Sequence, residues 1–345
     1  MSLSGPTEFE AVAVEDGLTG AGLQPEGDQS PGEPAADAIK GRSLAAIAWG
    51  RLRRDKVAIV AGIVLIVLVL LAIFADVLAN LYGQTPNAQH NSPPDNVLND
   101  LTSLPSGPFS GISSRFWLGV TPASGQDILT NLLYGARTSL TIGVAATVLS
   151  LVLGVLLGVA AGFYRGWIDN VISRVMDVLL SFPTLLFSIA LITVVGFIND
   201  DPAIRFGIIV FVLGFFSFPY VGRIVRGQVL SLREKEFVEA ARSLGAGNAR
   251  IMLREILPNL VGPLLVYSTL AVPNNILGEA GLSYLGIGVP AGTPSWGQML
   301  SDAGNFSQVD PWYLFLPGVA IFITVLAFNL FGDGLRDALD PKSRR

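Results

Sequence analysis

The sequence predicts an all-α membrane protein with six transmembrane helices, cytoplasmic N and C termini, and a cytoplasmic elbow between helices four and five. Three observations predict it. Of the 345 residues, 51% are hydrophobic and 14% charged, whereas a domain solvated by water carries about a quarter charged. Six apolar segments are long enough to cross a hydrocarbon core as helix, which takes roughly 17–25 residues. The cations then alternate between the connecting segments, nineteen of the 22 Lys and Arg falling on one side of the alternation.

Residues 1–45 read as a disordered, acidic cytoplasmic tail. The first 39 hold eight acidic residues and no Lys or Arg, with too little apolar surface to offset the entropy of ordering. They lack the basic start and apolar run of a signal peptide. Segment 46–80 carries the first transmembrane helix, at 57–75, behind a basic cytoplasmic flank. Residues 81–137 form an extracytoplasmic loop. Its His90, the single histidine, sits in the polar run QTPNAQHNSPPDN and reads as a solvated loop residue rather than a ligand or a base. Residues 138–341 hold the other five spans, at 138–164, 178–198, 206–222, 256–277 and 313–332, ahead of a basic end at 342–345. Pro183, Pro219, Pro263 and Pro317 predict kinks, which membrane helices tolerate when neighbours satisfy the freed carbonyls.

Cations set the orientation, because cytoplasmic loops retain Lys and Arg. They lie before span one, between spans two and three, between four and five, and after span six. The opposite set of segments holds Arg115, Arg137 and Arg205. Both termini and the segment 231–254 are therefore expected in the cytoplasm, in a multi-pass protein of the cell membrane.

That segment predicts the elbow. In SLREKEFVEAARSL, Phe237, Ala240, Ala241 and Leu244 recur at helical spacing on one face. Gly245 follows where a helix commonly ends in a left-handed residue. Asn248 is placed to cap a second helix, ARIMLREIL, running to Pro258. Physically, two readings stay open: an interfacial helix whose arginines meet anionic lipid, or a docking elbow for a soluble cytoplasmic partner.

Other chemistry is sparse. Without cysteine there are no disulfides, thiolate sites or cysteine nucleophiles. No metal cluster, His pair or catalytic constellation stands out, and nothing in the charge pattern predicts a nucleic-acid partner. Two acids lie near the spans. Asp177 reads as a helix-surface ion pair with Arg174, and Glu279, just beyond span five, as a structural hydrogen-bonding residue.

EAARSLG followed by ILPN resembles the EAA loop of permeases of ATP-binding-cassette importers, where EAA, Gly and Leu-Pro recur at fixed spacing. Glu239, Ala240, Ala241, Gly245, Leu257 and Pro258 match in register, with Glu255 at the family's Ile position. FWLGVTPASGQDILTNLLYGARTSL, GEAGLSYLGIGVPAGTPSWGQML and ITVLAFNLFGDGLRDALDP resemble further segments of the oligopeptide, dipeptide and nickel branch, with Gln126 where Arg is usual. The resemblance covers residues 115–341. It implies a non-catalytic permease subunit paired with a second permease around a central path. Two cytoplasmic ATPases would drive it and an extracytoplasmic solute-binding protein would deliver substrate, with lipid around the bundle.

The resemblance, together with the apolar stripe of Phe237 and Leu244, assigns ATPase coupling to Phe237, Glu239, Ala240, Ala241, Leu244, Gly245, Leu257 and Pro258. ATP and Mg would belong to the ATPases, with no cofactor in this chain, which has no Gly-Lys-Ser/Thr of a P-loop. Peptide import is the expected task, with nickel or another small solute as the alternative within the branch. An ion-coupled secondary transporter is the alternative from another class. Asn274, Asn275 and Asn329 could line the path or, equally, bond helix to helix.

Overall fold

A computed structural model describes residues 44–92, 96–198, 201–290 and 292–340. The expected tail at 1–45 falls almost wholly outside the described residues, as does the basic end at 342–345. The described chain is helical, and the β-pairing found is limited to two isolated bridges. In order come α1 (Leu44–Leu52), α2 (Lys56–Ile73), α3 (Ala75–Tyr82), a short turn α4 (Pro108–Gly111), α5 (Ile128–Tyr164), α6 (Gly166–Ser181) and α7 (Thr184–Ile198). They are followed by α8 (Pro202–Leu232), α9 (Glu236–Ser243), α10 (Asn248–Arg250), a π-helical turn (Ile251–Ile256), α11 (Leu257–Tyr284), α12 (Trp296–Gly304) and α13 (Pro311–Leu339). Among the described residues, five helices are long and apolar enough to cross a membrane, and the α6–α7 pair makes a sixth if its 83° bend is one broken span.

The bend corrects span three. Phe182 takes extended backbone (φ −75°, ψ 135°), as the residue before a proline is sterically pushed to do. The helix therefore stops at Ser181 and restarts at Thr184 instead of running unbroken over 178–198. Pro219, Pro263, Pro273 and Pro317 by contrast stay inside continuous helices.

Caps explain the boundaries. Asp55 accepts from Val57 N and Ala58 N and starts α2. Asp127 accepts from Thr130 N at 2.7 Å, so α5 begins at Ile128 and the last part of the expected loop 81–137 is helix. Arg137, about two and a half turns further in, donates to the C-terminal carbonyls of α2, at 3.0 Å to Ala72 O and 3.2 Å to Ile73 O, and to Asp76 at 2.9 Å. A cation there satisfies orphan carbonyls and complements the helix dipole.

Close approach holds the bundle. Gly154, Gly158 and Gly162 of α5 face Val221, Gly222, Val225 and Val229 of α8. A Cβ at Gly154 would lie 2.4 Å from Val221 Cβ, and one at Gly158 2.7 Å from Gly222 O. In lipid, where apolar contact with solvent drives nothing, such small-residue seams supply the packing between helices.

Three further expectations are corrected. His90 is buried, its ring 5.1 Å from that of Phe116, because the loop folds over a small core of Leu98, Phe116 and Val120. Asp177 pairs with Arg223 rather than Arg174, since α6 packs on α8 and brings that guanidinium across. Glu279 lies inside α11 and is fully buried, accepting from Ser139 Oγ at 2.9 Å and Ser283 Oγ at 2.7 Å. Its hydrogen-bonding role stands, but not its place beyond the span.

Candidate functional site

The segment joining α8 to α11 folds as a compact elbow. The α9 helix carries Glu236 and Glu239 in its first turn and Arg242 in its last, the arrangement that complements a helix dipole. Its buried anchor is Val238, fully enclosed among Phe163, Val229, Ile251, Ile256 and Leu260. Ala241 is half-buried against the same cluster. The four residues expected on one face therefore part: Ala241 turns to the chain, while Phe237, Ala240 and Leu244 are exposed, Leu244 at 89%. Leu253, 63% exposed, extends the apolar surface. Val238 was hidden to sequence reading because Val238–Ala241 and Phe237–Ala240–Leu244 are both good helical stripes, and spacing does not say which one faces the chain.

Gly245 ends α9 in the left-handed region, φ +80°. Ala246 N donates to Ala241 O at 3.0 Å and Gly245 N to Arg242 O at 3.0 Å, closing the helix's last carbonyls as a glycine C-terminus does. The next helix departs from expectation. Gly247, not Asn248, occupies the N-cap position, and no side chain caps there. The helix does not end at Pro258 but continues from Asn248 to Tyr284, through the π-helical turn. Pro258 has no N–H for the carbonyl four residues back, and a wider π turn just before it accommodates that break. Glu255 and Leu257 are half-buried, and Pro258 and Glu239 exposed.

The elbow is tied to the bundle from both sides. Arg233 donates to Phe163 O at the C-terminal end of α5, and Arg165 pairs with Glu234. The Arg226 guanidinium holds Asp169 of α6 through two hydrogen bonds. A rigid mount thus presents exposed apolar side chains on a short polar helix.

The candidate path residues behave differently from one another. Asn275 is buried, donating to Thr147 Oγ1 at 2.9 Å and accepting from Ser217 Oγ at 3.4 Å, so it bonds α11 to α5 and α8. Asn274 is exposed and turns back onto Leu270 O at 2.9 Å. Asn329 is exposed. Among the described residues, no group of three or more His, Asp or Glu is placed to hold a metal ion.

Residues 154–345 match the family described as binding-protein-dependent transport system inner membrane component. The chain belongs to this family. Residues 43–94 of this permease match a second family, the N-terminal TM domain of oligopeptide transport permease C. The permease is 39% identical over 298 residues to the dipeptide transport system permease protein DppC of Alkalihalophilus pseudofirmus, over 86% of this chain and 90% of that one. It is 40% identical over 294 residues to the glutathione transport system permease protein GsiD of Escherichia coli, over 85% and 89% respectively. Its fold is similar to a chain of the inward-facing MetNI methionine ABC transporter, with a TM-score of 0.51 at 19% identity over 62% of this chain and 98% of that one. The permease is a multi-pass cell-membrane subunit of an ATP-binding-cassette importer.

Proposed function

We propose that this permease imports short peptides and receives the force for import through the α9 elbow. Its partners in this reading are a second permease subunit, two cytoplasmic ATPases that bind ATP and Mg, and an extracytoplasmic solute-binding protein. The observation that carries the coupling role is the split of α9. Val238 fixes the helix to the bundle, while Phe237, Ala240 and Leu244 stand exposed. An apolar face of that kind on a rigid mount suits a groove in a soluble partner. Because the helix after Gly245 runs unbroken from Asn248 to Tyr284, a push on the elbow reaches the far end of α11 without passing through a loop. Closure of the ATPase pair would then move α11 and α8 and switch access. Glu239, Leu257 and Pro258 would shape the elbow around that contact.

Peptides are favoured as cargo because the relatives named for dipeptide and glutathione transport share that chemistry and align over most of the chain. The deciding experiment pairs co-purification with uptake. Leu244→Ser is expected to leave folding intact and to reduce ATPase co-purification and peptide uptake together. Full co-purification and full uptake would mean that α9 only lies on lipid.

A further inference from the structure

At the end of the bundle opposite the elbow, three segments far apart in sequence close around a cavity of about 350 Å³. They are the loop after α3, the stretch from Thr121 into the first turn of α5, and residues 292–313 around α12. Asn87 fastens the rim by donating to Gly292 O at 2.6 Å. The lining is unlike the rest of this apolar chain. Among the described residues it contains five side-chain amides (Asn87, Gln126, Asn131, Gln298 and Asn305), one carboxylate, Asp302, and no Lys, Arg or His.

Two of these groups point to a ligand. Asn131 is 5% exposed and gives its Nδ2 to Gln126 Oε1 at 3.0 Å, yet its buried Oδ1 has no hydrogen-bond partner. Buried polar atoms are nearly always paired, so this acceptor, shielded just behind the cavity lining, would gain a partner if a small turn of the amide met a donor held in the cavity. Asp302 accepts one hydrogen bond, from Gln298 Nε2 at 3.1 Å, which leaves its other oxygen for a second donor. The wall on one side of Asp302 pushes its carboxyl above the ordinary value, and a cation beside it would offset that desolvation.

We propose that this cavity is an extracytoplasmic entry site for the amino end of a short peptide, with Asp302 taking the α-ammonium and Asn131, Gln126 and Gln298 pairing with the first peptide unit. The site rests on the peptide-import reading and adds to it a selection rule. Side-chain amides both donate and accept and so match a peptide group of either polarity. Asp302 prefers a free ammonium, and the absence of a cation leaves the carboxyl end ungripped. A volume near the lower end of ligand pockets, about 300–1,000 Å³, admits a dipeptide or the leading end of a longer chain.

The test uses the full chain in lipid nanodiscs, without ATPases, titrated with L-alanyl-L-alanine and its N-acetyl derivative and followed by saturation-transfer NMR. The free dipeptide is expected to bind roughly tenfold tighter than the acetylated one, the scale of one charged hydrogen bond. Asp302→Asn, nearly isosteric on an exposed turn of α12, is expected to erase that difference by weakening the free dipeptide alone. Equal binding of the two peptides, no binding up to about 10 mM, or an unchanged preference in Asp302→Asn would overturn the site. Dipeptide uptake by the assembled transporter is scored separately: uptake without this binding removes the site and leaves the importer reading standing.

Discussion

Glu279 of α11 accepts the hydroxyl of Ser139 of α5 at 2.9 Å in the interior of the bundle. Ser283 donates to its other oxygen at 2.7 Å, and Ser295 lies close by. Ser295 in turn caps α12 by accepting from Gln298 N at 3.0 Å, and Ser139 accepts from Trp296 N at 3.3 Å. One carboxyl group thus locks the end of α11 to α5 and to the start of α12. Glu279→Ala should leave those hydroxyls unpaired and lower the stability of the purified chain by roughly 1–3 kcal/mol. Glu279→Gln, with an amide that still accepts, should lose less. Thermal unfolding in detergent measures both, and equal stability of wild type and Glu279→Ala would contradict the lock.

The α5–α8 seam predicts a sharper failure. Gly158→Leu would drive a side chain into Gly222 O and Val225, which lie under 3 Å from the first added carbon. Overpacking of this kind costs about 1–3 kcal/mol even where a core can shift, and here backbone is in the way. Gly207→Ala on α8, with open space around it, should be silent. Yield of monodisperse protein on size exclusion separates the two.

Gly245→Val tests the elbow's geometry. The left-handed region costs a residue with a Cβ on the order of 1–2 kcal/mol, and nothing lies within 4 Å of the added carbon, so strain alone acts. The variant should insert normally and lose coupled transport or ATPase co-purification. Wild-type behaviour in both assays would remove the coupling role from the turn.

The membrane architecture was legible because long uncharged runs have no other stable setting, and Gly245 because glycine is the residue that ends a helix in the left-handed region at low cost. What escaped depends on contacts between distant segments. Asp127 starts α5 before the apolar run does. His90 reads as polar loop until Phe116 folds over it, and WGQMLSDAG reads as loop although Ser295 caps it as α12. The cavity holding Asn131 and Asp302 joins three segments that no local pattern relates. At the elbow the difficulty was different: α9 has two apolar faces, and only packing against Ile251 and Ile256 selects Val238 as the inner one.

Topology has its own check, since the chain contains no cysteine. A single cysteine replacing Asn91 should react with an impermeant maleimide on intact cells, and one replacing Ser243, exposed on α9, should react only after lysis. The reverse pattern would invert the bundle and put the elbow outside.

The central claim is that this chain moves short peptides inward on force that ATPases deliver through α9. The most direct measurement is uptake of labelled L-alanyl-L-alanine into proteoliposomes carrying this permease, its sister permease and both ATPases, with the solute-binding protein outside and ATP sealed within. Uptake should require hydrolysable ATP, fail with this chain alone, and fall with Leu244→Ser while the complex's remaining subunits are unchanged. Uptake by this chain alone, driven by a proton gradient and indifferent to ATP, would contradict the account.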